Sequence, residues 1–174
     1  MQAIQTRYQH YLFRSRIEAR WAVFFDAMGW PYHYEPEGFL LPNGRAYLPD
    51  FYLPGFDVWV EIKGAAPTMH EQQIARLCAQ AGLRYYILYG PCDSARHGAV
   101  WFDDECGVID CPTATFATCR RCQQGVWIRT DEQAHPWLPC PDPCTCERWP
   151  LPSDAISAAY NRAKAARFEH GQHP

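Results

Sequence analysis

The stretch Val58-Trp59-Val60-Glu61-Ile62-Lys63 restricts the folds open to this chain more than any other. Its composition predicts an interior strand, with Val58, Val60 and Ile62 on one face and Trp59, Glu61 and Lys63 on the other. Two opposite charges two residues apart therefore sit on a strand that otherwise reads as buried. Ionised groups in an interior are costly unless they are paired or bound to a metal, so the fold has to bring partners to Glu61 and Lys63. Downstream, residues 64–67 read as a loop. The segment from about Thr68 to Ala81 reads as an amphipathic helix with Ile74, Leu77, Cys78 and Ala81 on its buried side. Leu83 to Tyr89 is a near-continuous apolar run, the pattern of a second interior strand.

Upstream, residues 1–14 read as a short arm. Ser15-Arg16-Ile17-Glu18 then has the form of a capping box, in which the Ser hydroxyl accepts from the N3 amide and the Glu side chain reaches back. Ile17, Trp21, Phe24, Phe25 and Met28 recur at helical spacing, and Gly29 is placed to end the helix. Tyr32-His33-Tyr34 reads as a strand. Phe39-Leu40-Leu41 and Ala46-Tyr47-Leu48 read as a hairpin around the turn dipeptide Asn43-Gly44. Asp50 to Leu53 continues the extended chain up to Pro54-Gly55. The expected order is one helix, three extended segments, a second helix and a strand.

Asp50 lies eleven residues before Glu61, a separation one hairpin returns across. Two converging carboxylates make an oxygen-rich site for a hard divalent cation, since Mg²⁺ uses one or two carboxylates with waters and substrate phosphate. Lys63 beside them is placed to orient or deprotonate an attacking water, or to stabilise charge on a phosphate. Plainer roles stand next to these. Glu18 can be only a capping partner, Asp50 only a turn residue after Pro49, and Glu61 with Lys63 only an ion pair on a solvated face.

Pro49-Asp50 followed by Glu61-Ile62-Lys63 resembles the PD-(D/E)XK nuclease superfamily, whose core has the αβββαβ order read above. The longer runs Phe13-Arg14-Ser15-Arg16-Ile17-Glu18-Ala19-Arg20-Trp21, Leu48-Pro49-Asp50-Phe51-Tyr52-Leu53 and Trp59-Val60-Glu61-Ile62-Lys63-Gly64 look like small phage and bacterial members, over roughly residues 7–90. The resemblance implies that Asp50 and Glu61 bind a catalytic Mg²⁺ or Mn²⁺ and that the Ile62 carbonyl adds a ligand. It implies that Lys63 acts on the water or the scissile phosphate, and that Glu18 makes a further, water-mediated metal contact. Gln72 or Gln73 matches a polar residue some members carry. The implied reaction is metal-dependent hydrolysis of DNA phosphodiesters by an endonuclease, in phage or bacterial DNA processing. The alternatives are a non-cleaving nuclease-like module that binds DNA or protein, and a subunit active only within a larger complex.

The chain has nine cysteines, none before Cys78 and five from Cys119 to Cys146. An odd number cannot all pair within one chain, and no secretory signal is evident, so thiols or metal sites are expected. Cys119-Arg120-Arg121-Cys122 has zinc-knuckle spacing, and Cys140-Pro141-Asp142-Pro143-Cys144-Thr145-Cys146 supplies a second pair. Cys119, Cys122, Cys140 and Cys144 are the expected ligands of a structural Zn²⁺, with Cys146 a substitute for one of the last two and His135 a further candidate. Gly125-Val126-Trp127-Ile128 forms part of an intervening hairpin. Cys78 is expected to be packed in the core. Cys92, Cys106 and Cys111 have no convincing partners.

The formal charge is −3, which excludes a uniformly basic nucleic-acid binder and leaves room for a local basic face. Arg7, Arg14, Arg16 and Arg20, interleaved with Tyr8, Tyr11 and Phe13, make a candidate phosphate-contacting and stacking arm. Arg162, Lys164 and Arg167 form a second cluster, and Arg120 with Arg121 a third. The acidic stretch Asp93 to Asp110, with a short strand at Ala99 to Phe102, is expected away from the DNA or as a partner surface. No apolar run approaches the ~20 residues that span a bilayer. A cytoplasmic protein with no membrane association is expected, with DNA as partner and a homodimer or larger nucleoprotein complex as its assembly. The expected architecture is α/β: a restriction-endonuclease-like core over residues 1–110, a zinc-ribbon-like module over 111–150 and a closing helix within 151–174 that packs on the core.

Overall fold

The computed structural model describes residues 4–93, 97–119, 121, 126–129, 134–138 and 153–168. The chain starts with an antiparallel hairpin, β1 (Thr6–Tyr8) and β2 (Tyr11–Phe13). Tyr8 and Phe13 point into the core, and Phe13 has no exposed surface. The segment expected to be an arm is therefore a packed hairpin. Two of its three aromatics are committed to the core and offer no stacking platform.

Helix α1 (Arg16–Met28) begins and ends where its caps put it. The Ser15 hydroxyl accepts the Glu18 N–H at 3.3 Å. Gly29 takes the left-handed conformation, φ 67°, which costs glycine nothing and ends the helix. The helix buries Trp21, Phe24 and Phe25 completely, and each phenylalanine contributes roughly 1.5–3 kcal/mol by leaving water.

β3 (His33–Tyr34) follows, then a separate two-stranded sheet of β4 (Phe39–Leu40) and β5 (Ala46–Tyr47), with Gly44 in its turn at φ 79°. β6 (Phe51–Leu53), β7 (Val58–Lys63), α2 (Met69–Gln80) and β8 (Tyr85–Tyr89) complete the expected order. α2 opens with a full capping box between Thr68 and Glu71. Its buried side is Ile74, Ala75, Leu77 and Cys78, whereas Ala81 is exposed as the C-cap.

The chain then departs from expectation. The short strand foreseen at Ala99 to Phe102 is part of β9 (His97–Asp103), which turns into the long β10 (Gly107–Thr118). β11 (Val126–Arg129) and β12 (Ala134–Leu138) pair onto β10 in turn. The main sheet therefore runs β10-β9-β8-β7-β6-β3, and β11 and β12 continue it beyond β10. The expected boundary between 110 and 111 falls inside β10. β7 and β8 run parallel, and the other pairings are antiparallel.

α1 and α3 (Asp154–Ala165) cover one face of the sheet and α2 covers the other. Val58, Val60, Ile62 and Leu88 pack with Phe24, Phe25, Ile156 and Tyr160. Trp59, Tyr85 and Ile87 pack with Ile74, Leu77 and Cys78. The alternation along β7 thus serves two cores. Among the described residues no helix is long and apolar enough to cross a membrane.

α3 is tied down by a buried polar pair. Tyr160 Oη accepts the Phe116 N–H and hydrogen-bonds His97 Nε2, 2.6 Å away. His97 is wholly buried, and burial pulls its pKa down to about 4, against the opposing pull of Gly98 and Asp93. Between about pH 6.5 and 4 the unfolded chain binds a proton at His97 that the fold refuses. This contribution to stability is complete above pH 6.5 and is lost as pH falls, by about 1.4 kcal/mol per unit. Chemical denaturation should show the stability gap between wild type and His97→Phe shrinking by about 2.5 kcal/mol from pH 7 to pH 4.5. An unchanged gap contradicts a neutral buried His97.

Candidate functional site

The antiparallel register Phe51↔Val60 and Leu53↔Val58, carried one step further, sets Asp50 opposite Glu61. Asp50 and Glu61 then share the face that also carries Trp59 and Lys63. Both are buried, Asp50 at 5 % and Glu61 at 7 % exposure. Asp50 Oδ2 accepts the Ile62 N–H at 2.8 Å, which locks it to the strand bearing Glu61. Lys63 Nζ lies 2.7 Å from Glu61 Oε1 and 3.4 Å from Glu71 Oε1. The sequence constellation of Asp50, Glu61 and Lys63 is therefore assembled.

Glu18, at the start of α1, is buried, and its charge is felt by Asp50. Its side chain does more than cap the helix. Oε2 accepts from Tyr34 Oη at 2.7 Å and from the Arg14 N–H at 3.1 Å, while Oε1 takes the Ser15 hydroxyl. Burial, followed by the charges of Glu61 and Glu18, pushes the Asp50 carboxyl well above the usual range. The Ile62 N–H and Lys63 oppose this and do not cancel it. Lys63 shows the reverse balance. Burial pulls its ammonium down, but Glu61, with Asp50 and Glu71 behind it, pushes it above its ordinary value. Lys63 is a cation here.

Several participants escaped sequence reasoning. Tyr47 Oη donates to Glu61 Oε2 at 2.7 Å and lies 2.6 Å from Tyr85 Oη. The only sequence signal for Tyr47 is the alternation along Ala46-Tyr47-Leu48. Glu71 pairs with Lys63 while its other oxygen caps α2 at Thr68, and the Thr68…Glu71 capping-box spacing was legible. Glu35 pairs with Arg14, and its N–H donates to the Asp50 carbonyl at 2.8 Å. Glu35 adopts φ 46°, a strained backbone for a residue with a Cβ, held by these two contacts. Nothing in the sequence marks it.

The basic candidates divide. Arg14 faces the site, 3.8 Å from Asp50 Oδ1. Arg7 is exposed on β1, and Arg16 and Arg20 are half-exposed on α1. Lys164 pairs with Asp93 at 2.9 Å, which joins one basic cluster to the acidic stretch. That stretch is used internally: Asp110 accepts from Tyr89 Oη and Gln72 Nε2. Gln72 is thereby turned to β10, and Gln73 is exposed.

Cys78 is buried, with burial and then Glu61 pushing its thiol up to about 12, as a packed, unreactive residue requires. Cys92 is buried as well, whereas Cys106 is exposed in the turn between β9 and β10. Cys119 is buried directly after β10. Cys122, Cys140, Cys144 and Cys146 lie outside the described residues, and for His135 only the strand that carries it, β12, is described.

Among the described residues no three His, Cys, Asp or Glu side chains form a ready cation cage. The donor set available is smaller: the Asp50 and Glu61 carboxylates and the Ile62 carbonyl, all hard oxygens. Mg²⁺ and Mn²⁺ are suited by such a set completed with water and substrate oxygen. The surplus charge agrees with this. Among the described residues Glu35, Asp50, Glu61 and Glu71 outnumber the cations Arg14 and Lys63 that pair with them. No protein family, curated protein or solved structure matches the chain.

Proposed function

We propose that this protein is a divalent-cation-dependent DNA endonuclease of the PD-(D/E)XK type, hydrolysing phosphodiesters at Asp50, Glu61 and Lys63. The observation that carries this reading is the Asp50 carboxyl. It is buried, and burial with the charges of Glu61 and Glu18 forces its pKa upward, an arrangement that lowers stability unless a cation relieves it. The helix, strand and helix order around it supports the same assignment.

Asp50 and Glu61, with the Ile62 carbonyl, would hold Mg²⁺ or Mn²⁺. A cation bound there would polarise a phosphoryl oxygen and acidify a water. The chain's own groups do the rest. The Ile62 N–H fixes Asp50 Oδ2, and Oδ1 lies 3.8 Å from the Arg14 guanidinium. Lys63 is protonated and cannot accept a proton in this state, so it serves as a cation that pairs with the scissile phosphate. Glu71, 3.4 Å from Lys63 Nζ, would keep Lys63 paired if Glu61 held a cation. Arg14 stands on the opposite flank, where it can hold a neighbouring phosphate. Cys119, Cys122, Cys140 and Cys144, with Cys146 in reserve, would hold a structural Zn²⁺.

Purified protein should nick or cut at least one of supercoiled, linear, branched and single-stranded DNA in Mg²⁺ or Mn²⁺, and none in EDTA. Gel analysis of the products checks this. A full panel without metal-dependent product leaves the non-cleaving module as the reading.

A further inference from the structure

Tyr47 comes from the β4–β5 hairpin, a two-stranded sheet outside the main one, and yet its hydroxyl ends on a carboxylate of the site. Tyr85, from the centre of the main sheet, stands behind it. Tyr47 gives its single proton to Glu61 Oε2, so at the contact between the two phenols Tyr85 is the donor. This order leaves Tyr47 little freedom, because swinging away would strand a buried Tyr85 hydroxyl.

The two oxygens of Glu61 therefore differ. Oε2 is held by a half-buried hydroxyl that Tyr85 backs. Oε1 is held by Lys63, whose side chain is 32 % exposed and has Glu71 as an alternative partner at 3.4 Å. We propose that Tyr47 is a positioning residue, fixing Glu61 through Oε2 so that Oε1 exchanges Lys63 for the divalent cation. This rests on the reading of Asp50 and Glu61 as cation ligands.

The test uses Mn²⁺ as the probe and the full chain, with affinity measured calorimetrically. Tyr47→Phe keeps the ring, which packs 5.9 Å from that of Tyr85, and removes only the hydroxyl. It should bind Mn²⁺ about 10-fold more weakly than wild type, the lower end of the effect of removing a group that orients a ligand. Tyr85→Phe should weaken binding in the same direction and less. In a Glu61→Gln background, Tyr47→Phe should cause no further loss. A Tyr47→Phe variant with wild-type affinity, beside a weakened Glu61→Gln, overturns the proposal and leaves the cation site standing. An equal loss in both backgrounds overturns it too, since Tyr47 would then act by another route. Wild-type protein that binds no Mn²⁺ overturns both the positioning role and the cation site.

Discussion

Glu61→Gln should lower metal-dependent DNA cleavage by about 1,000-fold, the equivalent of about 4 kcal/mol in the barrier. The substitution keeps the shape of the side chain, and the amide oxygen still accepts from Tyr47. It removes the negative charge that Lys63 and a divalent cation share. The fold should survive, since one buried charge is lost and the Tyr47 bond is preserved. Initial rates at saturating DNA, with circular dichroism of the same preparation, read the two effects separately. A variant that keeps more than a tenth of wild-type activity contradicts the role given to Glu61.

Asp50→Asn should move stability and activity in opposite directions. Asp50 is buried, and burial together with Glu61 and Glu18 raises its pKa, so the native state binds the proton more tightly than the unfolded chain. The stabilisation is complete below the unfolded value near 3.8 and is lost as pH rises through the raised native one. At pH 8 the carboxyl is therefore a liability. Asparagine keeps an acceptor for the Ile62 N–H and carries no charge. The metal-free variant should be more stable than wild type by about 1–3 kcal/mol at pH 8, the range for relieving a poorly compensated buried group. For a chain of this size that raises Tm by several degrees. The gain should shrink toward pH 4. Added Mn²⁺ at about 100 times its Kd should stabilise wild type by about 2.7 kcal/mol and leave the variant unmoved. A variant less stable than wild type at pH 8, or equally stabilised by Mn²⁺, contradicts the account.

Much of this site was legible because its determinants are local. The caps of α1 at Ser15 and Gly29, the alternation of β7 and the Asn43-Gly44 turn are set by residues adjacent in sequence. The juxtaposition of Asp50 and Glu61 followed from the short connection between β6 and β7. What was missed depends on pairing at a distance. The β9–β10 hairpin was obscured because Asp103, Glu105 and Asp110 give an acidic, loop-like composition. Pairing instead uses Asp103 as a turn acceptor and Asp110 as the partner of Tyr89. The first hairpin read as an arm because Arg7 and Arg14 dominate its segment, while the alternation of buried Thr6 and Tyr8 around exposed Arg7 spans only three residues. Tyr47, Glu71 and Glu35 reach the site through side chains whose direction the sequence does not carry.

The central claim is that Asp50, Glu61 and Lys63 cut DNA with a divalent cation. The most direct measurement is the single-turnover cleavage rate of end-labelled DNA by wild type and by Lys63→Ala, side by side in Mg²⁺ and in EDTA. The account predicts product from wild type in Mg²⁺ alone and a rate for Lys63→Ala lower by at least about 100-fold. Equal rates for the two proteins, or cleavage that persists in EDTA, would contradict it.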